Sequence, residues 1–539
     1  MSFKINRCQQ ININDRTNRI TEREQRFLNN SWAKTYGDTI FPMIDEKKFS
    51  VLYCEDNGRP NTPVNVIVGS LFLKEMLQLT DEELFESIMF DIRYQYALQL
   101  TSFEEIPFSD RTVSRFRERL YLYESETKGD LLKEEIERLS KEFSKMLKIS
   151  GSIKRMDSLM VSSSCKNMGR LELIYTCVSN LVKAIIKGGE TEALPEHMIK
   201  YGEESNKNAY CYRMDKEEVS TRLEAVTADA IMLYEIAAEL QSGANEFQLL
   251  ERMLTDQVEN GRLKENKKIS PKSMQNPSDE DATFRRKAGK ENQGYSGYIV
   301  EDCGENYNII TQYNYDVNVH SDSEFGKNAI KELGNQEEKI VMIGDGGFGG
   351  TENCKEAEDK GIELITTNLT GTKPPEIIKE FEIAEGVIKS CPEGHEPVDS
   401  KYKEEKKEYN AHFEKETCES CPKKNECPVV IQKKRAVVKI TETTIIRVDL
   451  SEKLNSEEYK AYARKRNGVE GIPSVLRRRY RVDEMPVRGL IRTKMWFGCK
   501  IAAINIKRVI AATLNSFIFY IYLVFNGHKN YCSINFTSF

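Results

Sequence analysis

Three carboxylates in this chain have the neighbours that metal-dependent phosphate chemistry needs. Asp157 lies in Gly151-Ser-Ile-Lys-Arg-Met-Asp-Ser-Leu-Met-Val161, which reads as a strand. Asp345 ends the apolar run Lys339-Ile-Val-Met-Ile-Gly-Asp345, a buried-strand pattern, and is followed by Gly346-Gly347-Phe348-Gly349-Gly350. Ligand sites in α/β proteins gather beyond the carboxyl ends of strands. Glycines there let backbone approach closely. Glu470 sits in Arg464-Lys-Arg-Asn-Gly-Val-Glu-Gly471, inside basic helical sequence. Three such groups can hold two Mg²⁺ (or Mn²⁺) ions about 4 Å apart, which activate an attacking oxygen and stabilise the leaving one in phosphoryl transfer. Mg²⁺ takes hard oxygen ligands, so Asp and Glu suit it where His and Cys do not. The acids Asp279, Glu280, Asp281 and Asp302 are rivals by position and read as loop charges.

A second constellation is sulfur. Cys418-Glu-Ser-Cys421-Pro-Lys-Lys-Asn-Glu-Cys427 is C-x₂-C-x₅-C, and Cys391-Pro-Glu-Gly-His395 lies upstream. Four thiolates make a tetrahedral structural Zn²⁺ site. Such a site would staple an insert too small for a core of its own. His395 or His412 could replace one sulfur. No His-Glu-x-x-His pattern occurs and the chain has five histidines, which argues against catalytic zinc.

The elements that must position these groups follow from the rest of the 539 residues. With 79 Lys+Arg against 85 Asp+Glu, the formal net charge is −6, so nucleic-acid binding must rest on local patches. One patch is the helix from Arg111, where Arg111, Arg115 and Arg119 share a face at i, i+4 spacing. Another surrounds Glu470, with Arg466, Arg477, Arg478 and Arg481. Arg285 and Arg286 add to it. A chain 30% charged is no polytopic membrane protein, and 23 Phe with 24 Tyr supply sizeable cores. The start Met-Ser-Phe-Lys-Ile-Asn-Arg has no apolar core and reads as no secretory signal. Thirteen mostly scattered cysteines read as reduced thiols, which predicts a cytoplasmic protein. The apolar run from Val509 to Phe525 is broken by Thr513, Asn515 and Ser516 and reads as a buried terminal helix, not a membrane span.

Along the chain, residues 1–60 form an irregular or helical arm, and 61–150 a helical domain. Thr62-Pro63 marks one helix start, Thr80 with Glu83 is a capping box, and Ser109 or Asp110 caps the basic helix. A strand over 153–161 is followed by a helical insert and polar linker over 166–294. Strands at 297–300 and 307–313, a helix near 324–334, and strands at 339–345 and 362–366 come next. Residues 385–450 form a Cys-rich, β-rich insert with strands at 436–440 and 444–448. Residues 451–515 are helical and basic, and 516–539 form an atypical tail. Pro473 removes a helix hydrogen bond or marks a helix start. The element order predicts an α/β, RNase H-like catalytic core, built from 151–165, 295–384 and 451–515.

In these motifs, from about residue 40 to 512, the chain resembles bacterial insertion-sequence transposases of the Asp-Asp-Glu class. Leu79-Thr-Asp-Glu-Glu-Leu-Phe-Glu86 through Phe108-Ser-Asp-Arg-Thr-Val-Ser-Arg-Phe-Arg-Glu-Arg119 resembles that family's all-α, helix-turn-helix-like N-terminal domain. Asp157-Ser-Leu-Met-Val, Asp281-Ala-Thr-Phe-Arg-Arg-Lys287 with Gly294-Tyr-Ser-Gly-Tyr298, and Asp345-Gly-Gly-Phe-Gly-Gly resemble its catalytic strands and turn. Arg466-x₃-Glu470 and Asn505-Ile-Lys-Arg508 resemble its closing helices. One branch of the family has Tyr-x₂-Arg-x₃-Glu-x₆-Lys; here Ala463 and Arg477 stand at the Tyr and Lys positions, with Tyr462 beside the first. The resemblance implies a DNA transposase with Asp157, Asp345 and Glu470 catalytic and Mg²⁺-binding. It implies Cys391, Cys418, Cys421 and Cys427 as Zn²⁺ ligands in a zinc-ribbon-like insert. It also implies terminal inverted repeats and target DNA as double-stranded partners, and a homodimer on DNA. A DNA-binding derivative without cleavage, and a nuclease that cuts without joining, are the alternatives.

Overall fold

A computed structural model describes residues 1–6, 15–55, 58–100, 108–240, 243–287, 289–334, 339–366 and 374–525. The chain divides into two compact units. One comprises Met1–Ser150, Ser158–His320 and Ile472–Phe539; the other comprises Gly151–Asp157 and Ser321–Gly471.

The larger unit begins with helices. Val64–Leu77 is apolar nearly all round and almost wholly buried, and it packs against the long helix Leu490–Phe525. The expected cap at Thr62 falls one residue on, at Pro63. The capping box of the next helix, Asp81–Phe90, forms as expected. Thr80 N–H donates to Glu83 at 2.8 Å, and Glu83 N–H donates to the Thr80 hydroxyl at 3.1 Å. Ser109 stands at the cap of Asp110–Thr127, and Leu131–Met146 follows. A separate helical core joins Ile174, Val178, Leu181 and Ile185 of Arg170–Gly188 to Val226, Leu233, Leu250 and Met253. These helices follow the apolar spacing of the sequence.

The strands of this unit are the second half of β1 (Ile153–Ser162), β2 (Thr283–Lys287), β3 (Lys290–Cys303) and β4 (Asn308–Val317). β3 is antiparallel to β2 and β4, and β1 lies beside it. The polar linker expected to run to residue 294 therefore contains β2 and the start of β3. Cross-strand pairing holds Arg285 opposite Asn292 and Arg286 opposite Glu291, so ladder bonds override the polar composition that reads as loop.

In the smaller unit the first half of β1 is parallel to β5 (Ile340–Gly344), which is parallel to β6 (Ile362–Thr366). The Cys-rich segment folds around a four-stranded antiparallel sheet of Asp399–Lys403, Glu408–Phe413, Ala436–Thr441 and Val429–Ile431. The strand expected over 444–448 is instead part of a helix, Glu442–Asn455. The partner strand begins at Glu408, opposite Thr441, so a strand past that point has nothing to pair with. The Thr441 hydroxyl accepts from Thr444 N–H at 3.1 Å and starts the helix. Glu457–Asn467, a 3₁₀ turn Gly468–Glu470 and Gly471–Arg478 follow, and Pro473 occupies the first turn of the last, where a missing N–H costs no helix bond.

Among the described residues no helix is long and apolar enough to cross a membrane. The helix reaches Phe525; the rest of the atypical tail, 526–539, lies outside the described residues.

Charges buried in the larger unit tie its terminal helix to its N-terminal helices. Lys500 and Glu75, both nearly inaccessible, form an ion pair at 2.8 Å. Lys74 lies 4.0 Å from the Trp496 ring centre, and Arg117 5.2 Å from it, while both cations bond Asp81. Breaking a buried pair strands the remaining charge. Lys500→Met should therefore destabilise this unit by about 3 kcal/mol, and Glu75→Leu combined with Lys500→Met by clearly less. Urea unfolding followed by circular dichroism measures these and Glu75→Leu alone; a double-variant loss equal to the sum of the two single losses would show that the pair is not coupled.

Candidate active site

The register of the smaller unit's parallel strands aligns the two aspartates. Ile153 pairs with Val341, Lys154 with Met342 and Arg155 with Ile343. Carried on by two residues, the same register sets Asp157 opposite Asp345. Side chains two apart on a strand share a face. Ile153, Arg155 and Asp157 therefore line one face of β1, and Val341, Ile343 and Asp345 continue it on β5. Asp157 is 8% exposed, and Asp345, just past the end of β5, is half-buried.

The turn after β5 grips Asp345. Gly347 N–H donates to Asp345 Oδ1 at 2.8 Å. A Cβ on Gly347 would stand 3.0 Å from that oxygen and 3.1 Å from Asp322 Oδ2, so glycine is the residue that fits between the two carboxyl groups. Asp322, buried at the start of the helix Asp322–Leu333, is an acid at this site that the motif reading passes over. Phe348 is fully buried and meets Phe325 edge-on at 6.1 Å, which anchors the turn.

Glu470 follows a helix that packs on this face. Tyr459 and Tyr462 of Glu457–Asn467 pack on Ile153, Val341, Ile343 and Ile365. The Tyr459 hydroxyl donates to Glu363 at 2.8 Å; burial, and then that carboxylate, push its pKa up. Arg466 Nη1 donates to Glu470 Oε1 at 2.7 Å, with Arg466 largely buried and Glu470 mostly exposed. Among the described residues no three His, Cys, Asp or Glu side chains form a group that could hold a metal ion. The structure thus brings Asp157 and Asp345 into register, while Glu470 lies in the segment that follows the covering helix and is held by Arg466.

The four cysteines line one small cavity of about 30 Å³, together with His395, Phe381, Phe413 and Val438. Burial and the neighbouring Cys418, Cys421 and Cys391 push the Cys427 thiol up to about 11, and burial with its neighbours also raises Cys418. His412 does not line this cavity; it faces Asp399 at 3.3 Å.

The arginines divide by what they touch. Arg111, Arg115, Arg286, Arg478 and Arg481 are exposed. Arg119 lies 4.5 Å from the Tyr53 ring centre. Arg285 donates to the carbonyls of Asn318 and His320 at 3.2 and 3.0 Å, which gives it a structural bond as well as a charge. Arg477 donates to the Met160 carbonyl at 2.7 Å and faces Asp483 at 3.4 Å. Of the rival acids, Asp279 accepts from Gly489 N–H at 2.9 Å and Asp281 from Leu490 N–H at 2.8 Å, so both satisfy the open N-terminus of the long helix. Asp302 accepts from the Thr311 hydroxyl at 2.7 Å.

A family model described as a transposase DDE domain matches residues 390–510, and one described as a transposase domain (DUF772) matches residues 30–119. The first span holds the four cysteines, Arg466 and Glu470, whereas Asp157 and Asp345 precede it. The second ends on the basic helix. No curated protein and no solved structure matches the chain. The DDE domain marks an enzyme of the polynucleotidyl-transferase and endonuclease class. Both matches are to transposase domains, and together they support an insertion-sequence transposase of the DDE class. Transposases act on DNA, and those of this class generally use divalent metals such as Mg²⁺.

Gly347→Ala tests the grip on Asp345. A methyl at that point requires the carboxylate to give by a few tenths of an ångström, and where 1 Å of misplacement costs about 100-fold, a shift of this size costs roughly 10-fold or less. Mg²⁺-dependent strand cleavage should drop by that order with DNA affinity unchanged, as a gel assay with labelled duplex measures. Unaltered cleavage would show that the carboxylate is not held there.

Proposed function

We propose that this transposase cuts the ends of an insertion sequence and joins the freed 3′-hydroxyl to target DNA, with Asp157, Asp345 and Glu470 as its catalytic carboxylates. The observation that carries the reading is the β1–β5 register; continued two residues past its last pair, it supports Asp157 level with Asp345 on the sheet face packed by the helix that leads to Glu470. An antiparallel β3–β4 pair beside β1 in one unit, and parallel β1, β5 and β6 in the other, support an RNase H-like core. The DDE-domain match supports the same core.

The donor set is all oxygen, as Mg²⁺ or Mn²⁺ requires. When bound, the ions would activate the attacking oxygen and stabilise the leaving one. The chain's own residues have the remaining tasks. Gly347 holds Asp345 in orientation, and Arg466 holds Glu470. Arg478 and Arg481, with Arg111, Arg115 and Arg286, would meet phosphates, a reading that their exposure supports, and Arg477 would support this basic segment. Arg119 and Arg285 contribute charge beside their structural contacts. DNA contacts of this kind weaken steeply with salt. The N-terminal helices would read the terminal inverted repeats, and two copies of the chain would pair the two ends.

Cys391, Cys418, Cys421 and Cys427 would hold a structural Zn²⁺. Four thiols around one cavity are a suitable donor set. Metal analysis of purified protein should find about one zinc per chain, in keeping with a single four-ligand site, and Cys418→Ser with Cys421→Ser should remove it and lower the melting temperature. Zinc-free protein with an unchanged melting temperature would count against the site.

Incubation with Mg²⁺, a duplex of the element's end and a target plasmid tests the main reading. Cleaved ends and joined products are expected. Asp157→Asn, Asp345→Asn and Glu470→Gln should each remove both, by at least about 1,000-fold on the scale of a lost transition-state contact, with DNA binding retained. Cutting without joined products would favour a nuclease. Binding without cutting by the intact chain would favour a DNA-binding derivative.

A further inference from the structure

The three carboxylates come from segments far apart in the chain, and the parallel strands position two of them. A buried arginine bears on the third. Arg155 stands two residues before Asp157 on the same face of β1 and is 7% exposed. Its Nη1 donates to the carbonyl of Lys465 at 2.6 Å. Lys465 lies in the last turn of Glu457–Asn467, just before the 3₁₀ turn that carries Glu470. The next residue, Arg466, grips Glu470.

Gly468 completes the arrangement. A Cβ there would overlap the Arg155 guanidinium, with Cζ 3.2 Å away. Arg155 therefore occupies the space a side chain at 468 would need. A buried guanidinium without hydrogen bonds is costly, so the cation and the carbonyl hold each other in place.

We infer that Arg155 is a positioning residue for the transposition reaction: it clamps the helix end bearing Arg466 and Glu470 onto the strand that carries Asp157. This rests on the reading of Glu470 as a catalytic carboxylate. The clamp acts on where Glu470 stands. It also gives Gly468 a reason to be glycine that no turn conformation supplies, since this residue sits in ordinary right-handed helical backbone.

The test uses the full chain and end-sequence duplex, with four measurements for each variant: cleavage rate, its Mg²⁺ dependence, DNA affinity and melting temperature. Arg155→Ala should cut about 10- to 100-fold more slowly and need more Mg²⁺ for half-maximal rate, at unchanged DNA affinity. Arg155→Lys, which keeps one donor, should recover part of the rate. Gly468→Ala keeps the Arg155 side chain but crowds its guanidinium away from the Lys465 carbonyl, and should show the same raised Mg²⁺ requirement; it serves as the test if Arg155→Ala does not fold. In the Arg155→Ala background, Gly468→Ala should add little, because residues sharing one contact are not additive. Normal rate and Mg²⁺ dependence in both single variants, with Glu470→Gln inactive, would overturn the clamp and leave the site reading standing. A rate loss matched by lost DNA affinity or a general fall in melting temperature, with no change in Mg²⁺ dependence, would also overturn it. If Glu470→Gln itself cuts normally, the reading of Glu470 falls and the clamp positions no catalytic group.

Discussion

Parallel pairing of β1 with β5 is the constraint on which the site depends. A strand pair has a side-chain period of two, so a slip of one residue would turn Asp157 to the opposite face from Asp345. The observed register, continued by two residues, keeps both on one face, with Asp157 midway along β1 and Asp345 just past the end of β5. The apolar residues preceding each aspartate enforce that register. Ile153, Val341 and Ile343 form one small core with Ile365, Tyr459 and Tyr462, and a slip would expose them. The packing that sets the register also seats the helix leading to Glu470.

Around that pairing the protein uses backbone donors and buried cations for orientation and keeps other arginines exposed. Gly347 N–H orients Asp345, Arg466 bonds Glu470, and Arg155 bonds the helix end. Arg478 and Arg481 stay exposed. The division is physical. A buried guanidinium must satisfy its donors within the protein, whereas an exposed one keeps them for phosphate oxygens. Arg117 belongs to the buried kind: it is spent on Asp81 and Trp496, although its position in the basic helix resembles that of Arg115.

Much of this was legible from local pattern. The capping box at Thr80 and Glu83, the apolar run into Asp345 and the spaced apolar residues of Arg170–Gly188 each depend on neighbours within about one helical turn or one strand, and each formed. The misread segments were those whose fate depends on a distant partner. Residues 444–448 have β-branched composition, yet their partner strand has already ended, so a threonine hydroxyl starts a helix instead. Residues 283–294 look like a loop, yet the hairpin of β2 and β3 claims them.

The sequence by itself determined which side chains are available for chemistry: the carboxylates, the C-x₂-C-x₅-C cysteines, the arginine clusters and the glycines that allow close approach. Local spacing suffices there, because caps, turns and strand alternation are short-range. Only the tertiary structure decided which of these meet. It paired Arg155 with Ile343, assigned Asp279 and Asp281 to a helix end, placed Asp322 beside Asp345, and brought Arg155 to the Lys465 carbonyl. Those contacts join residues tens to hundreds of positions apart, and long-range pairing is fixed by packing and register rather than by any local preference.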